Sequence, residues 1–320
     1  MRSEFLLVAL AASISFADPI VGAGVGNADT FVSEGSKLFN KKQYVKAAEQ
    51  FLKATRANPA NAQVYVQLAR AEMLSKQLQR SCYAYRVYLK ATPDSPDRKK
   101  AAAESDQCER QVKTMRKMPE DPTRGFVDLR AAFFTALDAR DLLGANSASE
   151  TLKTLVHDGF LGPELGEMAQ KLGTVATSEA DGIHRRALSG EKLTSEVLRS
   201  ARPLYQVAQE VGASVTDAKG RMAFLDGLAE LNDKAWKRAE THFSEAAKSD
   251  PSNKEYAYFR ALALFQSGDR GQALKVLEAE LKDDPRTVVL RASVALGDSP
   301  EAGAAELEKL LFSTRYPPEK

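Results

Sequence analysis

Two cysteines, three histidines and a scatter of lysines are where this chain of 320 residues could do chemistry. Cys82 and Cys108 are its only thiols, and they are not spaced as CxxC, so a redox pair of that type is excluded. In an oxidising compartment two thiols within reach pair by default. A helical hairpin that turns between Pro93 and Pro96 would bring Cys82 and Cys108 to similar heights, which makes a disulfide geometrically reasonable. Unlinked core thiols are the alternative, because helix rotation is not legible from spacing.

His157, His184 and His242 have no second ligand at i+4, so ordinary surface or interhelical roles are expected and no metal is assigned. HExxH, GxxxxGK[ST] and GxSxG are all missing from the sequence, and with them any recognisable metal, phosphate or nucleophile site. Acidic pairs such as Asp283 with Asp284 fall on turns or polar faces, where solvation accounts for them. No acid, base and nucleophile set stands out in residues 125–215. The expectation is a protein with no cofactor that is not an enzyme, with an unrecognised site in 125–215 as the remote alternative.

Basic residues gather at two places. Lys37, Lys41, Lys42, Lys46 and Lys53 lie close together, and so do Arg98, Lys99, Lys100, Lys113, Arg116 and Lys117. Solvated lysines are the plain account, and contact with lipid headgroups or cell-wall polymers is the alternative. The net charge is only +2, so the chain lacks the field of a dedicated nucleic-acid binder, and no nucleic-acid partner is expected. An apolar content of 43% with 28% charged residues argues against disorder throughout.

The apolar run of residues 5–17, FLLVALAASISFA, follows Arg2 and ends in the small residues Ser15 and Ala17. It is shorter than the roughly 18 residues that span a bilayer, so a cleaved secretory signal over 1–17 is expected. A second possible cut follows Ala28, and a buried first helix is the alternative. The glycine-bearing run Ala23, Gly24, Val25 and Gly26 reads as a flexible leader. No cysteine follows the apolar run, which excludes a lipid anchor there, and no later stretch is apolar enough to span a membrane.

What must position any binding surface is helical and repeated. Pro59 and Pro93 are 34 residues apart, and so are Pro251 and Pro285. Inside the first period stand Phe31, Gly35, Tyr44, Ala47, Phe51 and Ala54, and inside the second Tyr65, Leu68, Ala69, Leu78, Ser81, Tyr85 and Tyr88. Near the C-terminus the series returns as Gly227, Trp236, Ala239, Phe243, Ala246 and Pro251, then Ala261, Ala273 and Leu277. Small residues are expected where two helices approach most closely, with Phe51 and Phe243 filling the gap beneath. Proline beyond a second helix ends it and turns the chain into the next unit.

These residues resemble the tetratricopeptide repeat family over 28–95 and 220–287. The resemblance implies an all-α fold of antiparallel helical-hairpin repeats, stacked as a right-handed superhelix whose concave face binds peptides or extended segments, and it implies no reaction. The family's carboxylate clamp requires Lys and Asn on the groove side of the first helix. Val32 and Ser36 occupy those positions in the first unit, and Phe224 and Leu228 in the third, so the clamp is missing and a more apolar groove is implied.

Between the two repeat pairs the period fades. A charged helix is expected from Arg98 to Lys117, packed on the second repeat through Ala101, Ala102 and Val112, then a linker at 118–124. Helical patterns follow at 126–143, 148–156, 164–172, 178–188 and 195–211, either as degenerate repeats or as a separate bundle. Residues 288–320 are expected to form a capping hairpin and tail. The expected function is an exported scaffold that holds a protein or peptide segment in assembly or maintenance of a cell-envelope or secretion complex. A polysaccharide-binding accessory is the alternative.

Overall fold

A computed structural model describes residue 21 and residues 25–113, 125–282, 284 and 287–298. The expected signal over 1–17, the linker at 118–124, Pro285 and the hairpin and tail beyond 298 lie outside the described residues. Among the described residues the chain is all-α, with fourteen helices and no strand. They are α1 (Val25–Asn40), α2 (Tyr44–Ala57), α3 (Ala62–Leu74), α4 (Leu78–Ala91), α5 (Arg98–Lys113), α6 (Phe126–Asp138) and α7 (Ala148–His157), followed by α8 (Pro163–Leu188), α9 (Ser195–Glu210), α10 (Ala218–Asn232), α11 (Trp236–Ser249), α12 (Lys254–Gln266), α13 (Arg270–Glu280) and α14 (Thr287–Asp298).

The helices divide into two compact units. The first takes residues up to 136 with 148–171 and 210–212, and the second takes 137–147, 172–209 and the rest from 213. Within the first, α1 to α5 pack each on the next; within the second, α10 to α14 do the same, and α12 also touches α10 and α14. Loops of a few residues between such neighbours force antiparallel hairpins.

The proline rule holds in detail. Helices α2, α4 and α11 each stop two residues short of a proline, at Ala57 before Pro59, Ala91 before Pro93 and Ser249 before Pro251. The residue before each proline is pushed out of the helical region, with φ and ψ of −137° and 81° at Asn58, −129° and 67° at Thr92, and −135° and 88° at Asp250. Pro59 is buried, whereas Pro93 and Pro251 are exposed.

Two positions show why the α1–α2 and α10–α11 hairpins carry a glycine in their first helix. A Cβ built on Gly35 would stand 2.7 Å from Cε1 of Phe51, and one on Gly227 would stand 2.7 Å from Cε1 of Phe243. The rings occupy the space a methyl group would need, so the close approach of α1 to α2 and of α10 to α11 depends on hydrogen at those two positions. Ala47, Phe51, Ala54, Tyr65, Ala69 and Tyr85 are buried in the first unit. Ala239, Phe243, Ala246, Ala261 and Ala273 are buried in the second, while Phe31 is half-buried against the first core.

Cys82 and Cys108 are joined, with a Cα–Cα distance of 5.6 Å, and clip α4 to α5. Buried Ala101 and Val112 face the same core, with Ala102 half-buried.

Three expected boundaries need correction. Val25 and Gly26 are part of α1 and not of a flexible leader, since the helix starts three residues before the resemblance does. The pattern at 126–143 ends at Asp138, because Arg140 takes a left-handed φ of 61° and turns the chain. The patterns at 164–172 and 178–188 are one helix of 26 residues. Gly173 does not break it, because Leu172, Gly173 and Ala176 are buried on one continuous stripe and packing outweighs the cost of a helical glycine, about 1 kcal/mol.

Candidate functional site

Helical hairpins present two sides, one made by the first helices and one by the second. In the first unit the outer side of α4 is taken by the chain itself. The Tyr83 hydroxyl donates to the Leu161 carbonyl at 3.1 Å and accepts from the Leu161 amide at 2.8 Å. Lys90 pairs with Glu164 at 2.7 Å, and Gly166 lies so close to Pro59 that an added Cβ would meet its Cγ at 3.3 Å. Tyr83 and Val87 are buried by this segment. What stays open is the side of α1, α3 and α5.

That side is mixed in character. Val32 and Ser36 are half-exposed on α1, as are Phe39 on α1 and Met73 on α3. Arg70 on α3 grips Glu104 on α5 through two hydrogen bonds of 2.9 and 3.1 Å, and Tyr85 donates to the same carboxylate at 3.0 Å. Arg70 and Glu104 are 34 residues apart, one repeat, so the pair is a rung between equivalent positions of successive first helices. The Glu104 hydrogen bond raises the Arg70 pKa, so the guanidinium is firmly charged. Sequence reasoning passed over this pair, although its spacing by one period was a usable signal.

The corresponding side of the second unit is apolar. Leu228 and Leu231 on α10 and Tyr258, Leu262 and Phe265 on α12 are half-exposed, and Val289 on α14 is 65% exposed. Tyr258, Leu262 and Phe265 recur at the i, i+4, i+7 spacing that puts side chains on one stripe of a helix. Their inner edges rest on the core of Ala261, Leu264, Ala273 and Leu277. Beneath lies an aromatic cluster in which Phe259 stacks on Phe243 at 5.6 Å and meets Tyr258 edge-on at 5.4 Å. Of the stripe, Tyr258 rests directly on this cluster.

Phe224 is the correction here. Expected to line the groove, it is fully buried, because the His184 ring from α8 stands edge-on against it at 5.7 Å and Tyr256 lies at 5.0 Å. Burial, with Arg221 nearby, holds the His184 pKa down at about 4, so the ring is a neutral packing group at physiological pH. Around it, Asp181 accepts from Tyr205 and Arg221, each at 2.7 Å. His184 of α8 thus closes the α10 face at Phe224, α9 runs along α10 from Asp226 to Asp233, and Leu228 and Leu231 stay half-exposed between them and α12. Val32, Ser36 and Leu228 are half-exposed. The sequence did not single out Leu262 and Phe265, although their helical spacing with Tyr258 was visible.

Among the described residues no group of three or more metal-binding side chains comes together, and no helix is long and apolar enough to cross a membrane.

A family model described as tetratricopeptide repeat matches residues 34–96 and again residues 224–286. No curated protein matches the chain. Among solved structures, a tetratricopeptide repeat protein from Parabacteroides merdae is similar at 16% identity, with 89% of this chain and 92% of that one covered and a TM-score of 0.29. A thermophilic repeat protein of Thermus thermophilus is similar at 15% identity, covering 74% and 99%, with a TM-score of 0.25. The TPR2AB domain of yeast Sti1, in complex with pHSP90, is similar at 16% identity, covering 90% and 99%, with a TM-score of 0.26. Repeats of this type serve in general as protein-interaction scaffolds. In its two matched segments, where the proline stops recur and the same glycine notch receives the same phenylalanine, the chain carries tetratricopeptide repeats.

Proposed function

We propose that this chain is an exported scaffold that holds a protein or peptide segment of a cell-envelope or secretion complex on the first-helix face of its C-terminal repeats. The observation that carries the reading is the half-exposed stripe of Tyr258, Leu262 and Phe265 with Leu228 and Val289 beside it. A contiguous apolar surface on a soluble helical array marks a place where another molecule lies. The missing Lys and Asn of the carboxylate clamp favour an apolar segment over a charged chain end. Export is supported by the short apolar run of residues 5–17 and by the Cys82–Cys108 bridge, which suits an oxidising compartment.

The reading assigns no chemical step. Its test is capture of partners from crosslinked envelope by the parent chain, by Leu262→Asp with Phe265→Asp, and by a control with Lys275→Asp on exposed α13. Loss of one reproducible protein partner in the first variant alone, with helix content unchanged, supports it. Capture that is indifferent to the two substitutions, or no reproducible partner at all, overturns it.

A further inference from the structure

The hairpin turns of the first unit carry a surface that the repeat face does not explain. Helix α1 ends beside the start of α2, α3 ends beside the start of α4, and α5 runs antiparallel to α4, as the Cys82–Cys108 bridge and the Tyr85–Glu104 hydrogen bond require, and therefore parallel to α3. The α1–α2 turn, the α3–α4 turn and the C-terminal end of α5 therefore share one rim. The disulfide fixes this arrangement, since Cys82 lies one turn into α4 and Cys108 a little over one turn from the end of α5.

On that rim Lys41, Lys42, Lys46, Lys76, Arg80, Arg110 and Lys113 are all exposed. Lys42 and Lys76, one repeat apart, occupy the left-handed position of their turns with φ of 61° and 66°, where glycine or asparagine would be less strained. Helices α2 and α4 start with no acid in the first turn and no side-chain cap, and Lys46 and Arg80 stand there, against the preference of a helix N-terminus for negative charge. Acids do little to offset this. Glu72 is buried, Glu109 pairs with Arg86 at 3.2 Å, and Glu49 and Asp106 lie further down their helices.

Among the described residues, two exposed large aliphatic side chains stand on the same rim as these cations. Val45 is 61% exposed in the first turn of α2, and Leu74 is 50% exposed in the last turn of α3, the helix packed antiparallel on α2. A soluble polyanion has no use for them. Cations around protruding aliphatic groups suit a bilayer, where headgroups take the charge and the acyl boundary takes the apolar atoms.

We propose that this rim of the first unit docks on the surface of a bilayer rich in anionic lipid, through Lys42 and Lys76 with Val45 and Leu74. The docking is independent of what the repeat face of the second unit holds.

The test is co-sedimentation of the full chain with phosphatidylcholine vesicles that contain or lack phosphatidylglycerol. Lys42→Gln with Lys76→Gln, Val45→Ser with Leu74→Ser, and Lys99→Gln with Lys100→Gln at the far end of α5 are compared with the parent. All carry the same apolar segment at residues 5–17, so its contribution cancels between them. Removing two rim cations is expected to lower binding to anionic vesicles roughly twenty- to thirty-fold, and the control pair to change it little. The Val45 and Leu74 variant is expected to lose binding that persists in the parent at high salt. The proposal is overturned if the parent ignores anionic vesicles or if the control pair loses as much as the rim pair. It is also overturned if soluble polyphosphate binds as well as vesicles do, with no effect of Val45→Ser and Leu74→Ser.

Discussion

Gly227→Ala is the substitution on which the packing argument makes its sharpest statement, because two principles give it opposite signs. Alanine in place of glycine inside a helix ordinarily stabilises by about 1 kcal/mol. Here the new methyl would stand 2.7, 2.8 and 2.9 Å from Cε1, Cδ1 and Cζ of Phe243, closer than carbon atoms tolerate. The ring has little room to retreat, being fully buried and held by Phe224 at 5.9 Å and Phe259 at 5.6 Å. Overpacking of this kind costs about 1–3 kcal/mol, which cancels the helical gain or exceeds it, so the net expectation is a loss of about 0–2 kcal/mol. Gly182→Ala in α8 supplies the contrast, since nothing lies within 4 Å of a Cβ built there, and it should gain a few tenths to 1 kcal/mol. Urea unfolding followed by circular dichroism measures both. If Gly227→Ala stabilised the chain as Gly182→Ala does, the claim that the hairpin closes on a glycine notch would be wrong.

Other outcomes follow from single features. Reducing the Cys82–Cys108 bridge, which spans 26 residues, should cost the first unit about 3–4 kcal/mol by the loop-closure relation, and equal urea midpoints with and without reductant would contradict this. Burial raises the Glu72 carboxyl to about 8 from its ordinary 4.5, so the folded form keeps a proton that the unfolded chain has released. Its contribution is therefore fully present below about pH 4.5 and declines as pH rises to about 8; Glu72→Gln should remove that decline and stabilise the chain by a few kcal/mol at pH 8.5, as read from urea midpoints at pH 4.5 and 8.5. His184, held down at about 4, makes a contribution that is present above about pH 6.5 and lost as pH falls through 4, and its ring resonances should not titrate above pH 5.

The hairpins were legible because their residues answer to local rules at a fixed period. Gly35 with Phe51 and Gly227 with Phe243 sit sixteen residues apart in each pair, near enough for a pattern of one repeat to place them face to face. Contacts that join the middle of the chain to a repeat leave no such trace. Tyr83 meets Leu161 across 78 residues, and nothing in either neighbourhood announces the other. Phe224 was misplaced for the same reason, since the family pattern puts its position on the groove and only the long helix α8 brings His184 over it. That helix was itself hidden by Gly173, whose local preference reads as a break while burial of its neighbours keeps the helix going.

A photo-reactive side chain placed at Leu262 asks the central question most directly, with the same group at exposed Glu278 on α13 as the reference. Irradiation in the native compartment is expected to give a discrete adduct with one protein at position 262 and none at 278. Equal labelling at the two positions, or no protein adduct at 262, would mean that the apolar first-helix face of the C-terminal repeats is not where this scaffold holds its partner.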